Sequence, residues 1–189
     1  GIKFLNSFAS EITGGTLTRC NIRLESFNNT VDRNLTVTGT VINMDGYGST
    51  AVYVSGVRSS EITEVECYGG LEGIGFYNGA RVSTVSRCLS HDHTQDGFIV
   101  FGGQEIVHND CKAWNNGQSG FTTQRQLSGE DARFISWNQC TSWGHAFDGF
   151  DLRGSSTTPW GVETNSVATD CTTYDNAGCG FYIPMGEGT

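Results

Sequence analysis

Glu72, Asp96 and Asp148 share a setting: each stands directly before a glycine that opens an apolar strand, at Glu72-Gly73-Ile74, Asp96-Gly97-Phe98 and Asp148-Gly149-Phe150. Ser119 and Cys179 hold the same place before Gly120-Phe121 and Gly180-Phe181. If successive repeats stack at one strand spacing, Glu72 and Asp96 come ~5 Å apart, and Asp96 and Asp148 ~10 Å apart. Glycoside cleavage needs a proton donor and a second carboxylate, about 5–5.5 Å away for retention and roughly 6.5–9.5 Å for inversion. These spacings make Glu72, Asp96 and Asp148 the candidate catalytic column, with Asp151 a few residues along the last strand. Asp92, His91, His93 and His145 fall close enough in the pattern to assist. Asp-Gly is also ordinary turn chemistry, so a purely structural role competes for the same residues.

Two further columns suit binding. His91, Trp114, Trp143 and Tyr174 each stand three residues after a cysteine. With the cysteine pointing inward they point out, as an aromatic stripe on which sugar rings could lie. Alternatively, they stack on one another beneath a loop. Along the strand after each glycine, Tyr77, Ile99 and Phe101 predict an outward apolar patch that needs a cover. Gln124, Asp151 and Arg153 form a polar patch beside it. Tyr77, Gln124 and Arg153 complete the candidate substrate contacts.

What positions these residues is a repeat. Cys88, Cys111, Cys140 and Cys171 are each followed nine residues later by Gly-Phe, and Cys67 opens a looser copy. From Gly73 the equivalent glycines fall at Gly97, Gly120, Gly149 and Gly180, steps of 24, 23, 29 and 31. A period in this range marks a solenoid. Short runs of alternating apolar residues bounded by Gly, Asn, Asp and Ser read as strands, and no helical periodicity is sustained. The expected architecture is all-β: a right-handed, single-stranded parallel β-helix of about six to seven coils. Cys67, Cys88, Cys111, Cys140 and Cys171 would form an internal ladder of free thiols, and small residues two positions on (Gly69, Ser90, Ala113, Ser142, Thr173) a second inward row. Residues 1–33 read as an irregular opening coil or cap and 34–189 as coils, with inserts at 124–133 and 153–164. A start at Gly1 and no visible cap at Thr189 predict a piece of a longer protein.

Composition narrows the partners. The net charge of −9 argues against nucleic acid and anionic membrane. No apolar run reaches membrane-spanning length. Seven cysteines, an odd count without CxxC or a histidine-rich cluster, argue against zinc, and no cofactor is expected. A buried thiol ladder fits synthesis in a reducing cytoplasm.

Residues Asn34 to Ile183, through rungs such as Asp96-Gly-Phe and Ala113-Trp-Asn-Asn-Gly, resemble the pectate-lyase-like family of right-handed β-helices. One branch, the bacteriophage tailspikes and depolymerases, implies acidic residues on the helix face or between subunits of a homotrimer. It also implies a polysaccharide partner and a virion-surface or extracellular location. The mannuronan epimerase modules share the repeat pattern. Their Tyr-Gly-Phe-Asp-Pro-His motif is here Ile74-Gly-Phe-Tyr77-Asn78-Gly79, without its tyrosine, aspartate or histidine. The resemblance therefore implies a polysaccharide-binding and polysaccharide-degrading β-helix acting as a glycoside hydrolase. Two alternatives are a non-enzymatic structural or receptor-binding module of a viral fibre, and a lyase or epimerase with a different site.

Overall fold

The computed structural model describes residues 1–5, 9–26, 32–124, 132–152 and 166–183; for Asp32 and Arg33 only the backbone is described. One coil shows the plan. Glu72–Tyr77 runs along the first face, Arg81–Ser86 along the second and Leu89–His91 along the third, and the chain then returns to the first face at Phe98–Phe101. Each strand pairs in parallel with its equivalents in the coils before and after. The described residues build an eight-stranded sheet and two seven-stranded sheets, with no helix among them.

The Gly-Phe repeat has a packing cause. Phe98, Phe121, Phe150 and Phe181 point inward and stack face to face, their centroids 4.7–4.8 Å apart. The preceding glycine is required by close approach. A Cβ at Gly120 would run into Ser142 Oγ and the Gly149 carbonyl, and one at Gly73 into Ser90 Oγ and the Gly97 carbonyl. Ser90 and Ser142 use that proximity to donate to the same carbonyls, at 2.7 and 2.8 Å.

The corner before each cysteine was not visible in the composition of its residues. Glu64, Arg87, Asp110, Gln139 and Asp170 all take left-handed backbone angles, with φ between 50° and 56°. That conformation costs about 1–2 kcal/mol for a side chain with a Cβ. At Glu64, Arg87, Asp110 and Gln139 it is held by donation of the residue's own N–H to the next coil, as from Arg87 to Asn109 O and from Asp110 to Asn138 O, both at 2.9 Å.

Register corrects the cysteine pattern. Cys67 is paired with Ser90, not with Cys88, whose counterpart is Val65. Cys67 therefore occupies the small-residue row that continues through Ser90, Ala113, Ser142 and Thr173, the place expected for Gly69. Cys88, Cys111, Cys140 and Cys171 do repeat one contact. Each thiol donates to the carbonyl two residues earlier and to a carbonyl of the coil below, such as Cys111 to Asn109 O and Val85 O at 3.4 and 3.5 Å. The same pair of bonds recurs at the other three. All seven cysteines are free thiols.

Candidate functional site

The outer surface of the eight-stranded sheet carries the acidic residues. Glu72, Asp96, Ser119, Asp148 and Cys179 do fall into one column, because Phe98, Phe121, Phe150 and Phe181 are in direct register two residues further on. Beside it runs an outward row of Tyr53, Gly75, Ile99, Thr122, Asp151 and Tyr182.

Asp96 is the most constrained of the carboxyls. It is 3% exposed, and its Oδ1 accepts both the Thr122 hydroxyl at 2.7 Å and the Ser119 N–H at 3.0 Å. Burial pushes its pKa up to about 6; the two hydrogen bonds oppose that, and the charges of Glu72 and Asp151 add to it. Asp151 is 1% exposed and pairs directly with Thr122 on the neighbouring strand. Thr122 therefore stands between Asp96 and Asp151.

Glu72 is held by a device that sequence reading missed. Tyr77 belongs to the outward side of the same strand, yet its hydroxyl donates to Glu72 Oε2, and Thr50 of the preceding coil donates to the same oxygen at 2.7 Å. The ring reaches back because residue 75 has no side chain; a Cβ at Gly75 would collide with the Tyr77 ring. Tyr77 also stacks on Tyr53, with centroids 4.5 Å apart, and Arg23 lies over the far face of that pair at 4.3 Å. Burial, followed by the neighbouring Glu72 charge, raises the Tyr77 phenol well above its ordinary range, so it stays a donor. The signal was present in Glu72-Gly-Ile-Gly75-Phe-Tyr77, as a glycine at an outward strand position.

Asp148 lies two coils above Asp96 and repeats its geometry: its Oδ1 accepts the Cys179 N–H at 2.7 Å. Gln124 ends the outward edge of its strand, partly buried. Arg153 lies outside the described residues. The apolar patch expected at Tyr77, Ile99 and Phe101 is largely closed within the chain. Ile99 is 5% exposed, and Tyr77 and Phe101 are partly buried.

The aromatic stripe lies on the third face and includes Tyr68, which is paired with His91 although it stands one residue, not three, after a cysteine. Tyr68, His91, Trp114, Trp143 and Tyr174 stack continuously, with centroids 4.1–5.6 Å apart and planes within 11°. The ring faces are turned to one another, so ring edges meet solvent along the stripe. His91 is further tied to Glu66 at 3.2 Å and Asp92 at 2.7 Å.

His93 and His145 sit inside the corner that follows this stripe, each 2% exposed, with their ring nitrogens bonded to other groups than the carboxylates. His93 Nδ1 accepts the Gly70 N–H and His145 Nδ1 accepts the Asn116 N–H, both at 3.1 Å. Asn116 and Asn176 do the same for the N–H groups of His93 and His145. The result is a buried column of alternating histidine and asparagine that ties coil to coil. Burial pushes both imidazoles down to about 4. Among the described residues no group of three potential metal ligands converges.

The chain belongs to the right-handed β-helix family: the model of the right-handed beta helix region matches residues 20–188. Among curated proteins and among solved structures, no match was found. The family defines a right-handed parallel β-solenoid, a fold compatible with binding or degrading polysaccharide, and the activity has to be argued from the residues on its faces.

Proposed function

We propose that the outer face of the eight-stranded sheet binds a polysaccharide and hydrolyses it, with Asp96 as proton donor and Glu72 as the second carboxylate. The observation that carries this reading is the environment of Asp96. A carboxyl whose pKa is raised to about 6 by burial is protonated in mildly acidic solution and matched to giving up that proton. Both of its accepted hydrogen bonds fall on Oδ1, so the proton belongs on Oδ2. Glu72 lies one coil away, ~5 Å by the strand spacing, which fits a retaining double displacement. Tyr77 and Thr50 both bind Glu72 Oε2 and leave Oε1 to attack. Asp96 protonates the departing glycosidic oxygen while Glu72 Oε1 bonds to the anomeric carbon and the old C–O bond breaks. Water, deprotonated by Asp96, then releases the sugar. Asp148 and Asp151 are supporting carboxylates, Gln124 is a sugar contact at the far edge of its strand, and Arg153, outside the described residues, is a further candidate contact. The stacked edges of His91, Trp114, Trp143 and Tyr174 offer a second strip for sugar on the third face. This activity suits a depolymerase of the tailspike kind, at a virion surface or outside the cell.

A second reading is a non-enzymatic shaft or receptor-binding module, as in a trimeric fibre. A specific observation favours it: Asp96 and Asp148 make the same bond to a backbone N–H of the next coil, the work of a turn residue. Asp96→Asn separates the two, because an amide oxygen can still accept from Ser119 and Thr122. The test is incubation with bacterial capsular and O-antigen polysaccharides, following reducing ends and product size. The hydrolase reading expects cleavage that Asp96→Asn reduces at least 100-fold with little change in melting temperature, while the exposed Asp110→Asn cleaves normally. Binding without cleavage in the unmodified protein would instead establish the recognition module.

A further inference from the structure

Four thiols stand in one column where the second sheet turns into the third. The residues that follow them are paired, Leu89 with Lys112, Lys112 with Thr141 and Thr141 with Thr172. Cys88, Cys111, Cys140 and Cys171 are therefore in register, one coil apart, and adjacent members are spaced by the strand repeat of ~4.8 Å. Cys88, Cys111 and Cys140 are buried, while Cys171 is partly open. Below Cys88 the column ends on the buried Val65.

That spacing suits one coordination geometry. A metal–sulfur bond is about 2.3 Å long, so a cation held in line between two sulfurs spans about 4.6 Å. Cu(I) is a soft cation that selects thiolates, and two of them in line satisfy it. Zinc takes four ligands in a tetrahedron, which a straight column does not offer. Among the described residues no group of three ligands converges.

The thiol protons can leave without orphaning the carbonyls two residues earlier. Those carbonyls, of Ser86, Asn109, Asn138 and Thr169, also accept the N–H groups of Glu64, Arg87, Asp110 and Gln139, at 2.9–3.0 Å. Hydrogen bonds from Cys111 and then Cys171 push the Cys140 thiol below its ordinary range, with burial opposing them. A buried counter-charge is at hand as well. His108 lies in the core with neither ring nitrogen hydrogen-bonded, and its positive charge and the negative charge of Cys140 each favour the other.

We propose that this column binds Cu(I), each ion held between two successive sulfurs. The site is independent of the polysaccharide reading and lies on another part of the coil. Four sulfurs in register make three such places. A filled column exchanges four thiol protons for three monovalent cations and keeps one negative charge, which a protonated His108 offsets. Ions reach it as the coils close during folding, or by way of Cys171.

The experiment refolds the full chain anaerobically with excess Cu(I), supplied as its acetonitrile complex. Loosely held metal is then removed with bathocuproine disulfonate, and copper per chain is counted. Ag(I) repeats the count with an ion that does not change oxidation state. Cys20→Ser and Cys179→Ser are present throughout, because these two thiols lie off the column and are open to solvent. The expected result is about three ions per chain, ultraviolet absorption from thiolate–metal bonds, an unchanged far-ultraviolet dichroism spectrum and a raised melting temperature. Cys140→Ala removes two of the three places and should retain about one ion. Cys88→Ala, at the end of the column, removes one place and should retain about two, which keeps the test should Cys140→Ala fail to fold. Cys67→Ala, a buried thiol off this column, should leave the count unchanged. No retained copper overturns the proposal, as does a count that Cys140→Ala and Cys88→Ala leave unaltered or that Cys67→Ala lowers equally. Copper retained only when Cys20 and Cys179 are restored assigns it to the surface thiols, and copper held only by a chain without its sheet spectrum assigns it to the unfolded state; each overturns the proposal.

Discussion

Acid should unfold this protein through its buried histidines, and His108 allows the size of the effect to be worked out. Its ring lies in the core between the edges of Phe76, Phe98 and Phe121 and stacks on Trp137, with neither nitrogen hydrogen-bonded. Burial moves its pKa from 6.5 down to about 4. The unfolded chain therefore binds a proton that the folded one refuses, and stability falls as pH drops from 6.5 towards 4. Between pH 7 and 4.5 this shift costs about 2.5 kcal/mol. His93 and His145, shifted to the same value, each add a loss of similar order. Asp96 opposes them. Raised from 3.8 to about 6, it takes up a proton more readily when folded, and adds stability as pH falls through 6. Its full contribution, about 3 kcal/mol, is reached below pH 3.8. Three losses against one gain leave a net fall comparable to the whole stability of many domains. Denaturant unfolding at pH 7 and 4.5 measures it. In His108→Phe, which keeps a flat ring among the aromatics, the difference between the two pH values should shrink by about 2.5 kcal/mol, whatever the variant's absolute stability. An undiminished difference would refute the assignment of the proton to His108.

Gly75→Ala should push the Tyr77 ring away from Glu72, since the new Cβ occupies its path. Cleavage should fall about tenfold or more, as should that of Tyr77→Phe, and in the double variant the two losses should not add. A thiol reagent should modify the exposed Cys179 at once and leave the buried Cys67, Cys88, Cys111 and Cys140 untouched until the chain unfolds. For Cys67 the barrier is also electrostatic, because burial pushes its thiol up to about 12.

The coil period, the inward phenylalanines and the carboxylate column could be read from spacing, because each repeats one residue type in one place. Errors arose where a coil substitutes one residue for another. Val65 fills the place of a cysteine, so counting from Cys67 shifts this coil by two residues and hides Tyr68 from the aromatic stripe. The corners at Glu64, Arg87 and Gln139 escaped notice because their left-handed angles are imposed by hydrogen bonds between coils, while their residue types have no turn preference. His93 and His145 looked available for chemistry because sequence distance does not distinguish the inside of a corner from the outside. The return of Tyr77 over Gly75 depends on a side-chain direction that alternation alone does not contain.

Since every strand is paired with the strand one coil away, the sequence distance bridged by each contact is the length of one coil and no more. Lengthening a coil from 23 to 31 residues, the range between these glycines, raises the loop-closure cost by only about 0.3 kcal/mol. Evolution can therefore enlarge a corner on one coil without disturbing its neighbours. Each coil is a mounting point on which loops can be exchanged while the column of Glu72, Asp96 and Asp148 stays in register, so what the loops present can diverge faster than the scaffold that carries them.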